Sequence, residues 1–119
     1  MKRTHTCGEL TAKDTNKKVS LAGWCNSRRD HGGVIFIDLR DRYGITQIVF
    51  DPSSNMESHK MAESLRREDV VVAEGSIRKR PEGMKNEKIP TGEIEVLISR
   101  IHSINKAQTP PIEIDDRIE

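Results

Sequence analysis

Aliphatic side chains stand at every second position of Val34 to Arg40: Ile35, Ile37 and Leu39 alternate with Val34, Phe36, Asp38 and Arg40. Successive residues of a strand point to opposite faces, so this period of two predicts a strand with one face in the core. The pattern recurs along the chain. Lys18 to Arg29 alternates through Val19 and Leu21, with Gly23 expected to form a bulge or kink. Turns at His31 to Gly33 and at Asp41 to Gly44 link this segment to Val34–Arg40 and then to a third strand, Gly44 to Asp51, as a meander of hairpins. Asp51 to Ser54 stops the sheet and offers a helix cap. Asn55 to Arg67 follows, with Met56, Lys60, Met61 and Leu65 at helical spacings, and Met56 and Met61 are expected to pack the helix. Val70 to Arg80 is a fourth strand, Pro81 to Gly92 a loop, and Glu93 to Ile104 a fifth strand.

The expected fold is therefore all-β with one short helix. Five strands with the helix between the third and fourth is the order of the five-stranded OB-fold barrel, whose exposed sheet face and flanking loops commonly bind oligonucleotides. Its 119 residues allow one domain, and hydrophobic residues make up 34% against 33% charged, which fits a thin barrel under a charged surface. Residues 1–106 are expected to be that domain, and residues 107–119, which open on Ala-Gln-Thr-Pro-Pro, a linker. Charge divides the same way: residues 107–119 carry a balance of −3 and residues 1–106 a balance of +4. A mildly basic body suits a fold that grips a few phosphates and not a histone-like duplex coat. No apolar run reaches the ~18 residues of a membrane span and Met1 to Leu10 is no signal peptide, so a soluble, cytoplasmic protein with no membrane partner is expected. Cys7 and Cys25 lack CxxC spacing and read as free thiols, with no metal site.

Alternation assigns the faces. Because Phe36 shares a side with Asp38 and Arg40, an aromatic ring stands on the polar side of the sheet. Ile48 and Phe50 are the natural core pair of the third strand, which turns Gln47 toward the Phe36 side. Ile77 points inward with Val71 and Ala73, leaving Arg78 and Arg80 outside, and Ile94, Val96 and Ile98 leave Glu95 outside. A ring stacks an unpaired base without choosing it, worth roughly 1 to 3 kcal/mol. Selection needs edge contacts: the Gln47 amide matches the N3–H and carbonyl of uracil, the Glu95 carboxylate accepts from the N1–H and N2–H of guanine, and the arginines reach phosphates or base acceptors. Plainer readings fit the same pattern. Phe36 can belong to a second small apolar cluster under a loop, and Arg78 and Arg80, with Gln47 and Glu95 taken singly, to a solvated edge that discourages aggregation.

Enzymatic motifs are missing: there is no P-loop, nucleophile elbow, HExxH or strand-to-helix GxGxxG. Asp38 and Asp41 are flanked by Arg40 and Arg42, which reads as local ion pairing, and no catalytic residue is expected.

The run GVIFIDLRDRYGITQIVFDP from Gly33 to Pro52, with Gly23-Trp24, Arg28-Arg29-Asp30 and the segment TGEIEV from Thr91 to Val96, resembles the N-terminal anticodon-binding domain of bacterial-type aspartate-tRNA ligases, from about Thr4 to Asp116. The element Phe-x-Asp-Leu-Arg-Asp alone would admit the asparaginyl and lysyl enzymes. The resemblance implies a domain that unstacks the anticodon loop of aspartate tRNA and reads G-U-C. Phe36 then matches the ring under the middle base, Gln47 and Arg29 the contacts to the middle and neighbouring bases, Glu95 the reader of the first base, and Arg78 and Arg80 contacts to the loop. Strict alternation from Val19 and Leu21 turns Arg28 outward; a bulge at Gly23 would turn Arg29 outward, as the resemblance requires. It also implies that this is a non-catalytic fragment without cofactor of its own. ATP, magnesium and the homodimer contacts would belong to a catalytic domain beyond residue 119, and the fragment itself is expected to be a monomer. In some members the loop after the fourth strand places asparagines at the third base. Here Asn86 is the available amide, and His31 and Gly83 lean toward the relaxed kind that also charges asparagine tRNA, whose third base is U in place of C. A general single-strand binder and a purely structural module remain as rivals, the first disfavoured by the single exposed ring.

Overall fold

The computed structural model describes residues 3–107; the expected linker beyond Ala107 lies outside the described residues. Five strands, β1 (Lys18–His31), β2 (Val34–Asp41), β3 (Gly44–Phe50), β4 (Val70–Lys79) and β5 (Ile94–Asn105), close into a barrel in the order β1-β2-β3-β5-β4. One helix, α1 (Met56–Ala62), lies between β3 and β4, and a 3-10 turn, Ala12–Asp14, precedes β1. All neighbours pair antiparallel except β3 and β5, which run parallel through Ile48↔Val96 and Val49↔Leu97. This is the OB-fold expected from the strand pattern.

The interior holds the apolar residues chosen by alternation, Ile35, Ile37, Leu39, Ile48, Phe50 and Ile77 among them. An N-terminal strap, which carries no strand pattern, also reaches the core: Cys7 and Leu10 are fully buried. The Cys7 N–H donates to the Asp41 carboxylate at 2.9 Å, and the Thr46 hydroxyl donates to the Cys7 carbonyl at 2.7 Å. Gly8 permits the approach, since a Cβ there would lie 2.2 Å from the Tyr43 carbonyl oxygen. Asp41 thus serves the strap and the turn amides of Tyr43 and Gly44, where ion pairing with its sequence neighbours was expected. Both thiols are free, and burial raises both pKa values, that of Cys25 to about 11, so neither is a thiolate at neutral pH.

Two expectations about α1 are corrected. The helix ends at Ala62, not Arg67, because its last carbonyls find other donors: Arg28 Nη1 donates to Ala62, Glu63 and Leu65 at 3.2, 3.0 and 2.7 Å. The Arg66 N–H goes to the Asp69 carboxylate at 2.9 Å instead of continuing the helix. Met56 and Met61 do not pack the helix; they are 72% and 40% exposed. Small residues dock it, with Ser58 and Ala62 buried and the Ser58 hydroxyl donating to the Ile98 carbonyl.

The chain leaves the barrel beside Asp69, which is 2% exposed and accepts from Lys106 Nζ at 2.6 Å and the Ala107 N–H at 2.8 Å. Burial alone would raise the pKa of this carboxyl, but the Lys106, Ala107 and Arg66 hydrogen bonds hold it below the ordinary value. A depressed folded pKa contributes stability that is present above the unfolded value near about 4 and is lost as pH falls through the folded one. Urea midpoints of the chain and of D69N should therefore differ at pH 7, with D69N the less stable, and converge well below about pH 4.

A candidate nucleic-acid interface

Every residue of the outer face is placed by the register of the barrel. Ser27 pairs with Asp38, Asp38 with Gln47, and Glu95 with Arg78, while Ile48↔Val96 sets Gln47 beside Glu95. This forms a polar row across all five strands. One step along lies a second row, Arg29↔Phe36↔Val49↔Leu97↔Ser76. The Phe36 ring is therefore outside the core, half-buried, with Val49 beside it. Val49 is fully buried yet belongs to no part of the core cluster, so the ring does join a small outer apolar patch as well as facing the groove.

Arg29 reaches this face through a bulge, but not at Gly23. Gly23 stays in register with Val71, and the shift falls between Cys25 and Ser27, at Asn26. Gly23 is required for close approach instead: a Cβ there would lie 2.4 Å from the Arg40 carbonyl oxygen. The extra residue reverses the parity of β1 all the same. Arg28 turns to α1, where it also holds Asp30 in a two-point ion pair at 3.0 and 3.1 Å, and Arg29 turns to the groove.

Arg29, Phe36, Gln47, Arg78, Arg80 and Glu95 line one concavity of about 530 Å³. The end of β1 closes its rim with Asp30 and His31, and the loop after β4 with Pro81 and Met84. The polar members are bonded to one another. Arg29 Nη1 meets Asp38 Oδ2 at 3.1 Å, Arg29 Nη2 donates to Gln47 Oε1 at 2.8 Å, Gln47 Nε2 donates to Glu95 Oε1 at 2.8 Å, and Arg78 Nε donates to Glu95 Oε2 at 2.8 Å. Asp38 therefore pairs with Arg29, not with Arg40. The outward positions expected of Gln47 and Glu95 hold as to face, but their expected openness does not. They are 7% and 2% exposed, because guanidiniums from β1 and β4 fold over them, something alternation within one strand does not encode.

Arg80 is the least satisfied member. Its Nε donates to the Ile94 carbonyl at 3.0 Å, while Nη2 is buried with no hydrogen-bond partner among the described residues. Burial lowers its pKa, against the opposing pull of Glu95 and Asp38. A guanidinium stays protonated regardless, so this is a charged donor left without an acceptor among the described residues. Of the three residues expected near a third base, the structure brings only His31 to the Phe36 groove. Gly83, at φ +84°, lines a neighbouring concavity of about 500 Å³ that shares Arg80 and Pro81. Asn86 lines neither; its Oδ1 accepts from the Lys88 N–H and its backbone N–H donates to the Gly92 carbonyl, both 3.0 Å, so it builds the loop. Met84, 63% exposed at the groove rim, was not singled out from the sequence, and Asp38, behind Arg29, was placed on this face but read only as a local ion-pair partner. The only available signal for Met84 was an apolar residue in a polar loop next to glycine. Among the described residues no group of three or more His, Cys, Asp and Glu is placed to hold a metal ion.

Residues 19–104 match the tRNA anti-codon family, described as an OB-fold nucleic acid binding domain. The whole chain is 55% identical over 119 residues to the aspartate–tRNA(Asp/Asn) ligase of Desulfatibacillum aliphaticivorans, of which it spans 20%. The corresponding ligase of Moorella thermoacetica is 56% identical over 117 residues, covering 98% of this chain and 19% of that protein. The chain thus spans about a fifth of the length of these relatives. In space it is similar to asparaginyl-tRNA synthetase from Pyrococcus horikoshii, complexed with asparaginyl-adenylate. There the TM-score is 0.75 and identity 31%, covering 95% of this chain and 25% of that one.

Proposed function

Because the chain belongs to the tRNA anti-codon family of OB-fold nucleic acid binding domains, we propose that its groove takes the unstacked anticodon loop of aspartate tRNA and reads the G-U-C triplet. The observation that carries this reading is the Phe36 ring on the outer face, in one concavity with Arg29, Gln47, Glu95, Arg78 and Arg80. In it the middle base stacks on Phe36, with its edge met by Gln47 and Arg29. Glu95 accepts from the first base, and Arg78 and Arg80 contact the loop. The internal hydrogen bonds do not forbid this. A carboxylate oxygen has more than one acceptor position, and an amide end bonded once keeps a second proton or lone pair.

The larger activity is proposed by likeness to the relatives: attachment of aspartate to tRNA, with ATP and magnesium handled by a catalytic part, in a homodimer whose isolated N-terminal domain is a non-catalytic monomer. The relatives' names specify both aspartate and asparagine tRNA, which favours a relaxed third position. His31 in the groove, Gly83 beyond it and Asn86 spent on the loop leave no amide of that loop in the Phe36 groove to separate C from U at the third base. A general single-strand binder would need several platforms on this face, and among the described residues Phe36 is the one phenylalanine, tyrosine or tryptophan lining the groove, with the smaller His31 ring at its rim.

One stack and three edge contacts at about 2 kcal/mol each place the affinity near micromolar before ordering costs. Titration of the chain with anticodon stem-loops carrying single base changes tests the assignment. Changes at the first and middle bases should each weaken binding about tenfold or more, and C to U at the third should change it less than about threefold. Equal affinity for every loop would overturn the reading.

A further inference from the structure

We propose that Asp38 is a positioning residue that locks the polarity with which Gln47 presents its amide to a base. The proposal rests on the reading of Gln47 as the reader of the middle base. Glutamine is by itself an ambiguous reader, because a half-turn of its amide exchanges donor and acceptor without changing shape. Uracil and cytosine differ by that same exchange at N3 and the 4-position, so a freely turning Gln47 would accept either.

Gln47 is not free to turn. Its Oε1 accepts from Arg29 Nη2 and its Nε2 donates to Glu95 Oε1, both at 2.8 Å. Arginine can only donate and an ionised carboxylate can only accept, so a turned amide would set donor against donor and acceptor against acceptor. The Glu95 end is fixed by deep burial and by Arg78. The Arg29 end belongs to a long side chain that is 49% exposed, and something must hold it. Asp38 does so with both oxygens, taking Nη1 at 3.1 Å and Nη2 at 3.4 Å. Ser27 Oγ donates to Asp38 Oδ2 at 2.8 Å and accepts from Arg29 Nη1 at 3.3 Å. Asp38 is not among the residues that line the groove, so it acts on the base through Arg29 and Gln47.

Asp38 also neutralises a cation at the groove wall. Released from it, Arg29 becomes a free guanidinium beside an RNA chain and is drawn to whichever phosphate is nearest. Loss of Asp38 therefore has a signature that loss of a merely structural ion pair lacks: discrimination falls while sequence-independent attraction rises.

The test compares the 119-residue chain with D38N, S27A and Q47A. Each is titrated with anticodon stem-loops carrying U or C at the middle position, at several salt concentrations, with folding checked by circular dichroism. In D38N the U-over-C preference should fall about tenfold, the C loop should bind at least as tightly as to wild type, and the salt slope should steepen by about one. S27A should lower the preference in the same direction but less, and it decides the matter if D38N does not fold. A folded D38N, or S27A in its place, with wild-type preference and salt slope would overturn the role of Asp38. If Q47A keeps the preference, the reading of Gln47 fails and the lock fails with it. If Q47A abolishes the preference and D38N does not, only the lock fails.

Discussion

Replacing Phe36 by alanine is expected to weaken binding of a G-U-C stem-loop by roughly 5- to 150-fold, the equivalent of losing one base stack at about 1 to 3 kcal/mol. The loss should be similar whichever base stands in the middle, because a ring offers its face to all four, and the base preferences set by Gln47 and Glu95 should survive in the weakened complex. Folding should be far less affected. The ring lies outside the core cluster, in a row with Val49 and Leu97, so truncation exposes part of a small outer patch and opens no internal cavity. A cost of about 1 kcal/mol, from apolar area returned to water, is expected in urea denaturation. Phe36→Trp keeps a platform and should bind within about threefold of wild type. An alanine variant that binds like wild type would remove the platform from the account.

The second large effect is expected at Glu95. Glutamine fills the same volume, but its amide brings two donors to a position where Arg78 and Gln47 already donate. One of those bonds must be given up, and the base loses a charged acceptor as well. Charge-assisted hydrogen bonds contribute about 1.5 to 3 kcal/mol, so the preference for guanine over adenine at the first base should fall at least about tenfold in E95Q. Thermal stability should fall too, because Glu95 is 2% exposed and joins β3, β4 and β5 through its partners. The Arg78 side chain is 43% exposed and water can replace its lost partner, which keeps that cost toward about 1 kcal/mol. Stem-loops with G or A at the first position, titrated against wild type and E95Q, separate the two effects. A retained guanine preference would assign first-base reading to another residue.

The barrel was legible because its signals are local. Ile35, Ile37 and Leu39 mark a one-sided strand without help from the rest of the chain, and the same alternation places Phe36, Gln47, Arg78 and Glu95 on one face. Features that depend on two segments at once were not legible. The bulge at Asn26 follows from how β1 shares its length between β4 and β2, whereas glycine content alone pointed to Gly23. The early end of α1 depends on Arg28 and Asp69, which compete for its last backbone groups. Burial of Gln47 and Glu95 comes from arginines on other strands. The strap through Cys7 and Leu10 has no periodicity to announce it, and its course is held by hydrogen bonds to Asp41 and Thr46, which lie more than thirty residues away in the sequence.

The central claim concerns one ring and one base, and an isotope-filtered NOE experiment on the chain bound to a G-U-C stem-loop tests it directly. The account predicts contacts between the Phe36 ring protons and H5 and H6 of the middle uracil, with the Gln47 side-chain amide shifting as that base arrives. Base contacts confined to residues outside the groove, with the Phe36 ring protons unmoved at saturation, would contradict it.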